Sequence, residues 1–294
     1  MARDAQMPAP PGQTVSEQRA ARELAYADRS RDAVKTNGVT TTEIAIAGVP
    51  CLEIAPAEAA PGRAVVYLFG GGFVFGSPWQ DMTICAGLAT GMGTRVIAPF
   101  YRLAPEHPFP AALNDCAAVL EAVLKQTSGA TYLAGESAGA NLALAISLQR
   151  FQQNLPGPLA LGLMSPSTDQ TDYGDSYLTN RDPVLARERI DAVPRIYAPG
   201  ADLTDPLISP IFGTYGPGFP PTLITTGTRD LFLSSCARQA RVMREAGATV
   251  DLRVWEGMWH AFEFYAELPE SAASLSDIST FLLSAGPDRS PALP

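Results

Sequence analysis

The sequence is poor in several residue types, and each shortage excludes a class of function. It contains two histidines and four cysteines in 294 residues, with no C-x-x-C or H-E-x-x-H spacing, so we expect no metal site. Lysine and arginine do not cluster, and the net charge of −9 offers no basic surface to nucleic-acid phosphates. No uninterrupted apolar run is long enough to span a membrane. We therefore predict no nucleic-acid partner and no membrane partner.

The first residues and the cysteines bear on the cell compartment. The chain starts with polar and charged residues and lacks the apolar segment of a signal peptide. The four cysteines are far apart, which is typical of buried free thiols in a reducing compartment: Cys51, Cys85, Cys116 and Cys236. We expect a cytoplasmic protein.

What is present is an alternation of apolar, β-prone runs with helical stretches. A helical segment from about Ser16 to Val34 and a hairpin over 42–46 and 51–54 come first. The alternation that follows is typical of an α/β fold, in which a mostly parallel central sheet has helices on both faces. The expected strands are 64–69, 95–98, 131–134, 159–164, 222–226 and 250–255, and the expected helices are 111–125, 138–153, 234–245 and 270–284.

One long segment interrupts this alternation. Between about Asp169 and Pro220 no strand is expected, and the segment combines polar turns with a helical stretch from Pro183 to Ile190. An insertion of this length in an α/β domain is usually a lid or a substrate-pocket element. The proline-rich start of the chain and its last residues, from Gly286 onward, are expected to be loosely held.

The most informative motif is Gly135-Glu136-Ser137-Ala138-Gly139, which lies between an expected strand and an expected helix. A G-x-S-x-G in this context predicts a nucleophile elbow: the glycines let the backbone turn sharply, and the serine Oγ projects from the sheet. The helix that begins behind Ser137 offers free N–H groups to a developing oxyanion. Ser137 is therefore the candidate nucleophile.

A nucleophilic serine needs a base, and the sequence offers two histidines. His107 lies between two prolines, where a structural role is expected. His260 follows the last expected strand, and chemistry in α/β sheets lies beyond strand carboxyl ends. His260 is therefore the candidate base.

The candidate acid is Asp230, which follows the strand at 222–226. It completes the order Ser137, Asp230, His260 that is typical of α/β-hydrolases. Two other carboxylates are weaker candidates, since Asp251 falls inside a strand and Glu256 is too close to His260 in sequence.

A glycine run, Gly70-Gly71-Gly72, follows the first core strand. Such a loop lets backbone amides face a ligand, and together with the elbow it predicts an oxyanion hole. The candidate donors are the N–H groups of Gly71, Gly72 and Ala138.

These motifs are accompanied by the segment Tyr101-Arg102-Leu103-Ala104-Pro105-Glu106-His107-Pro108. Together they resemble the hormone-sensitive-lipase-like (bacterial family IV) carboxylesterases of the α/β-hydrolase superfamily. The resemblance covers about residues 60 to 265. It implies an α/β-hydrolase fold with a helical cap. The expected division is cap helices in 1–40, a hydrolase core in 41–170 and 219–285, a cap insertion in 171–218 and a flexible tail in 286–294.

Three positions depart from the family pattern. Phe69 stands where the family has a histidine at the start of the glycine loop, and we expect its ring to pack under that loop. Asp230 is followed by leucine rather than proline, and Ala261 stands where glycine usually follows the catalytic histidine.

The sequence thus predicts a serine carboxylesterase that hydrolyses neutral short- to medium-chain esters through an acyl-enzyme intermediate. No cofactor is implied, the partner is a small-molecule ester, and the protein is expected to be a monomer or homodimer. A lactone hydrolase with the same triad remains an alternative. A non-catalytic small-molecule receptor on the same fold, such as the gibberellin receptors, is an alternative of a different class.

Overall fold

An eight-stranded sheet forms the centre of the computed structural model, which describes residues 12–127 and 130–286. Expectations for residues 1–11 and for the tail from 287 onward lie outside the described residues. The strands follow the order β1-β2-β4-β3-β5-β6-β7-β8 across the sheet, and all neighbours from β4 to β8 are parallel. They are β1 Val39–Ile46, β2 Val49–Pro56, β3 Ala64–Leu68, β4 Arg95–Pro99, β5 Thr131–Glu136, β6 Leu161–Met164, β7 Thr222–Gly227 and β8 Val250–Trp255.

Eight α-helices accompany the sheet in the described part of the chain. Four of these helices begin and end within one residue of their expected bounds, whereas α2 and the short α5 were not expected from the sequence pattern. The helices are α1 Val15–Asn37, α2 Met82–Met92, α3 Ala111–Gln126, α4 Ser137–Gln152, α5 Asp175–Thr179, α6 Arg187–Tyr197, α7 Leu233–Glu245 and α8 Pro269–Ser284.

The central strands are buried on both faces, because helices cover both sides of the sheet. Every residue of β3, β5, β6 and β7 is buried, which explains why their sequences are near-continuous apolar runs. All four cysteines are buried free thiols, as the sequence predicted. The carboxyl ends of the parallel strands share one edge of the sheet, and this edge carries the motifs.

The N-terminal hairpin expected over 42–46 and 51–54 is present, and its strands are longer than expected. The register pairs Ile46 with Val49, so the turn consists of Ala47 and Gly48 alone. Both turn residues have positive φ, 52° and 81°, the conformation of a tight two-residue hairpin.

The connection between β6 and β7, residues 165–221, contains no strand, as expected, but its main helix lies later than predicted. The helical stretch was expected at 183–190, whereas α6 starts at Arg187. The Asp182 carboxylate accepts hydrogen bonds from the backbone N–H groups of Val184 and Leu185, at 2.8 and 3.0 Å. These side-chain bonds stabilise a turn in place of a helix start.

Helix α1 is well delimited at both ends. Thr14 and Glu17 form a reciprocal capping box, and Gly38 ends the helix in the left-handed conformation. One α1 residue, Arg19, reaches the core: its guanidinium donates to the carbonyl oxygens of Val74 at 2.8 Å and Ala104 at 2.7 Å. None of the described helices combines the length and apolar character that a membrane crossing requires.

Candidate active site

Ser137 lies at the junction of β5 and α4 in a strained backbone conformation. Its φ is 51°, in the left-handed region that few non-glycine residues adopt. The two glycines of the motif have a different task from the one the sequence suggested. A Cβ on Gly139 would lie 1.9 Å from the Leu68 carbonyl oxygen, and a Cβ on Gly135 would lie 2.7 Å from Gly139. The glycines thus let the elbow pack closely against β3, while the serine carries the strain.

The structure brings together the three residues proposed as nucleophile, base and acid. His260 Nε2 lies 2.9 Å from Ser137 Oγ, and His260 Nδ1 lies 3.2 Å from Asp230 Oδ1. All three side chains are buried. The arrangement lets the imidazole take a proton from Ser137 on one side while a carboxylate orients it on the other.

Asp230 is held by the end of β7 and the loop after it. Thr226 Oγ1 donates to its Oδ2 at 2.8 Å, and the Phe232 N–H donates to its Oδ1 at 2.9 Å. Burial favours a protonated carboxyl, but the charge of the His260 imidazolium and hydrogen bonds from His260, Ser165 and the Phe232 backbone outweigh it and lower the pKa of Asp230. Asp230 is therefore ionised when it faces His260.

A second carboxylate, Asp182, lies close to His260. Its Oδ2 accepts the His260 backbone N–H at 2.9 Å. Burial alone would lower the pKa of the His260 ring, but the charges of Asp230, Asp182 and Glu136 raise it to about 9. The sequence analysis missed Asp182, because it lies in the irregular β6–β7 connection, 78 residues before His260, with no motif around it.

The other candidate residues lie apart from this contact. His107 is exposed, and its backbone N–H donates to Leu103 O at 2.9 Å. Asp251 forms an ion pair with Arg253, and Glu256 is exposed.

The glycine loop follows β3 beside Ser137. Gly71 has a φ of 106°, and a Cβ there would lie 2.3 Å from the Phe75 carbonyl oxygen, so no other residue fits. Gly72 approaches α6, since its Cβ would lie 3.0 Å from Val193. Ala138 is buried in the first turn of α4, where backbone N–H groups have no partner within the helix.

A buried carboxyl pair underlies this loop. Gly70 lies directly against the Glu136 carboxyl, 1.8 Å from Oε1 to an added Cβ. Burial raises the pKa of Glu136 to about 7, and burial with the charge of Glu136 raises the pKa of Asp81. Tyr67 donates to Asp81 Oδ2 at 2.7 Å. At neutral pH the pair therefore holds fewer than two negative charges.

Phe69 is buried directly before the glycine loop, as expected of a packing residue. The ring is buried and stacks on Tyr101, with centroids 4.1 Å apart and 9° between the planes. The Tyr101 hydroxyl donates to the Phe69 carbonyl at 2.6 Å. The start of the loop is thus held by aromatic stacking and one hydrogen bond.

A cleft of about 130 Å³ opens beside His260. Its walls come from the core, from α1 and from Val184 of the β6–β7 connection. They include Gly70, Gly71, Glu136, His260, Tyr26, Phe264 and Tyr265. The Arg22 guanidinium also lines it and lies over the Phe75 ring, 4.3 Å from the ring centroid.

Comparison with known proteins identifies the family of this chain. Residues 65–264 match a family model described as the alpha/beta hydrolase fold. An acetyl-hydrolase of Streptomyces hygroscopicus is 32% identical over 269 residues, covering 90% of this chain and 89% of that protein. An esterase of Acinetobacter venetianus is 35% identical over 251 residues, covering 82% and 81%.

A solved structure of an esterase from the bacterial hormone-sensitive lipase family superposes with a TM-score of 0.87 at 30% identity, covering 96% of this chain and 94% of the other. The chain therefore belongs to the α/β-hydrolase fold family, and within it to the hormone-sensitive-lipase-like (bacterial family IV) carboxylic ester hydrolases.

Proposed function

We propose that Ser137, His260 and Asp230 form the catalytic triad of this ester hydrolase. The observation that carries the proposal is the continuous chain of contacts from Ser137 Oγ through the His260 ring to Asp230, at 2.9 and 3.2 Å. The raised pKa of His260 and the lowered pKa of Asp230 suit an imidazolium that forms next to a permanent carboxylate.

The reaction proceeds in two halves. In the first, Ser137 Oγ attacks the ester carbonyl carbon while His260 Nε2 takes the hydroxyl proton. Collapse of the tetrahedral intermediate breaks the bond to the alcohol, which leaves with the proton from Nε2. In the second, Nε2 removes a proton from water, the hydroxide attacks the acyl carbonyl, and Ser137 regains its proton as the carboxylic acid departs.

The oxyanion of each intermediate is proposed to accept hydrogen bonds from the backbone of Gly71, Gly72 and Ala138. Gly71 lines the cleft, and Ala138 lies at the N-terminus of α4, whose dipole favours negative charge. In a water-excluded site each such donor stabilises the transition state by ~3 kcal/mol.

We propose neutral esters with short to medium acyl chains as substrates. The cleft of about 130 Å³ beside His260 suits a small acyl group. The similarity to an acetyl-hydrolase supports the short end of this range. The relatives with ester-hydrolase names and the complete set of three residues favour an enzyme over a non-catalytic receptor.

We also propose that helix α1 and residues 171–218 form a cap over Ser137. Three contacts support this division: Arg19 reaches the loops at Val74 and Ala104, Asp182 holds the His260 backbone, and Tyr197 of α6 stacks on Phe73 with centroids 3.7 Å apart.

The test is a burst experiment with p-nitrophenyl butyrate. We expect release of one equivalent of p-nitrophenol faster than the steady rate, and mass spectrometry of quenched enzyme should find one butyryl group on the peptide containing Ser137. His260→Ala should abolish the burst. Steady hydrolysis with no acyl group on Ser137 would contradict the mechanism.

A further inference from the structure

Two cavities meet at helix α1. The first is the cleft beside His260, and the second, of about 410 Å³, lies between α1, Thr41 of β1 and Trp79. Tyr26 lines both of them. A volume of this size is in the range of small-molecule sites, roughly 300–1,000 Å³.

The wall between the cavities is thin. Glu23 lines the second cavity and Gln80 lines the cleft, and Gln80 Nε2 donates to Glu23 Oε1 at 3.0 Å. Beside this hydrogen bond stands the Tyr26 ring, which packs edge-to-face on Phe264 with centroids 5.3 Å apart. One ring and one hydrogen-bonded pair therefore separate the two spaces.

The second cavity has a lining that suits an unbranched hydrocarbon chain. Its α1 residues lie on one helix face from Glu23 to Lys35, a rise of about 18 Å. Ala27, Val34 and Trp79 make its walls apolar, and the charged side chains of Arg31 and Lys35 are at the exposed end.

Most of the lining surface of this cavity is apolar. Ser30 is buried there, and its Oγ, which has no hydrogen-bond partner among the residues that the structure describes, is a polar atom within that lining. A hydrocarbon chain in the cavity would contact mainly carbon atoms, which is the favourable arrangement for apolar burial.

We propose that Tyr26 sets the acyl-length limit of this enzyme by closing the cleft off from the second cavity, which is an apolar subsite for the chain of a longer ester. This inference rests on the proposed function, because it takes Ser137 as the point where the acyl group is attached. Tyr26 touches the substrate chain and takes no part in proton transfer.

The experiment measures kcat/KM for p-nitrophenyl acetate, butyrate, octanoate and decanoate. In Tyr26→Ala we expect the ratio of decanoate to acetate to rise at least tenfold over wild type, mainly through a lower KM for decanoate. Tyr26→Phe, which keeps the ring, should restore the wild-type ratio. Loss of activity by the same factor at every chain length would overturn the proposal.

A filling substitution provides the matched control. Ala27 lines the second cavity but not the cleft, so Ala27→Phe in the Tyr26→Ala background should return the ratio to its wild-type value. Ala27→Phe alone should leave the ratio unchanged. If Tyr26→Ala melts far below wild type, Tyr26→Leu opens the wall with less loss of packing and must show the same rise.

A binding measurement separates failure of this inference from failure of the proposed function. Trp79 lines the second cavity, so we expect 1-decanol to change its fluorescence and to bind Tyr26→Ala at least tenfold more tightly than wild type. Trp79→Phe should remove the signal. Equal decanol affinities would contradict the subsite even if both proteins hydrolyse esters. Absence of ester hydrolysis by wild type would contradict the proposed function, while the titration still decides the subsite.

Discussion

The sheet edge that carries Ser137, Asp230 and His260 and the segments that we propose as its cover are held in different ways. At the edge, Ser137 is held by backbone geometry, namely its positive φ and the glycines that allow contact with β3. The proposed cover, α1 and residues 171–218, contacts the core through side chains such as Arg19 and Asp182 that bind backbone atoms. In the proposed mechanism the core therefore places the nucleophile, whereas the cover affects access and local charge through residues that can be exchanged one at a time.

The sharpest test of the edge is Ser137→Ala. We expect kcat to fall by about 10⁴ to 10⁶, while the melting temperature stays within a degree or two of wild type, because the smaller side chain fits the same elbow. His260→Ala should reach the same floor, and the double variant should fall no further, since the triad acts as a unit. Additive losses would contradict a shared mechanism.

The next largest expected effect is a loss of folding stability when the buried ring of Phe69 is removed. Phe69→Ala removes a fully buried ring that stacks on Tyr101, and should lower the free energy of unfolding by about 3–5 kcal/mol. Chemical denaturation measures this change. Phe212→Ala is the matched control, because that ring is 44% exposed and its loss should have little effect. Equal stabilities of the two variants would rule out packing as the role of Phe69.

The attachment of the cover is tested by Arg19→Ala. The change removes hydrogen bonds from a charged donor to Val74 and Ala104 and should cost about 1.5–3 kcal/mol of stability. If α1 belongs to the substrate site, KM should rise more than kcat falls. Arg241→Ala, which removes an exposed pair with Glu245, should change neither the melting temperature nor KM.

A smaller effect is expected from the negative charge that Asp182, in the proposed cover, places near His260. In the proposed mechanism the neutral ring of His260 is the base. Because the pKa of this ring is raised to about 9, kcat/KM should increase with pH along a limb above the usual imidazole value near 6.5. Asp182→Asn keeps one of the two acceptor oxygens and removes the negative charge, so this limb should move to lower pH. The limb should not move in Asp251→Asn, whose carboxylate pairs with Arg253 away from the site.

The smallest expected effect is an increase in folding stability on substitution of Ala261. Ala261 has φ 48° and ψ 43°, a left-handed conformation that costs an alanine roughly 1–2 kcal/mol. Ala261→Gly should raise the free energy of unfolding by about 0.5–1 kcal/mol, measured by thermal melts, with kcat unchanged. A lower melting temperature would show that the methyl group contributes more by packing than the backbone loses by strain.

The core was predictable from the sequence because each strand and its following motif are local signals. Apolar runs located all the core strands, and the positions of Ser137, Asp230 and His260 after three of them predicted that these residues lie at one edge of the sheet. Phe69 could be assigned to packing since it ends an apolar strand.

The cover was less predictable for physical reasons. The start of α6 depends on the Asp182 turn, and Asp182 owes its place to a contact with a residue 78 positions away. Gly71 also shows the limit of sequence reasoning: its surroundings exclude a Cβ through the Phe75 carbonyl, so alanine there would reduce stability as well as activity. No pattern in the sequence predicts the contact between Asp182 and His260 or the close approach of the Phe75 carbonyl to Gly71.

Because of the buried titratable groups around Ser137, the pH that favours fast catalysis differs from the pH that favours a stable fold. The pKa values of Glu136 and His260 are raised in the folded protein to about 7 and about 9, so both groups stabilise the fold when protonated. That stabilisation is lost as the pH rises from about 4.5 to 7 for Glu136 and from about 6.5 to 9 for His260. Asp230, with its lowered pKa, loses its contribution at acidic pH instead. The folded enzyme should therefore be most stable in mildly acidic buffer. Its turnover should be fastest in alkaline buffer, where the folded state is less stable and inactivation is faster.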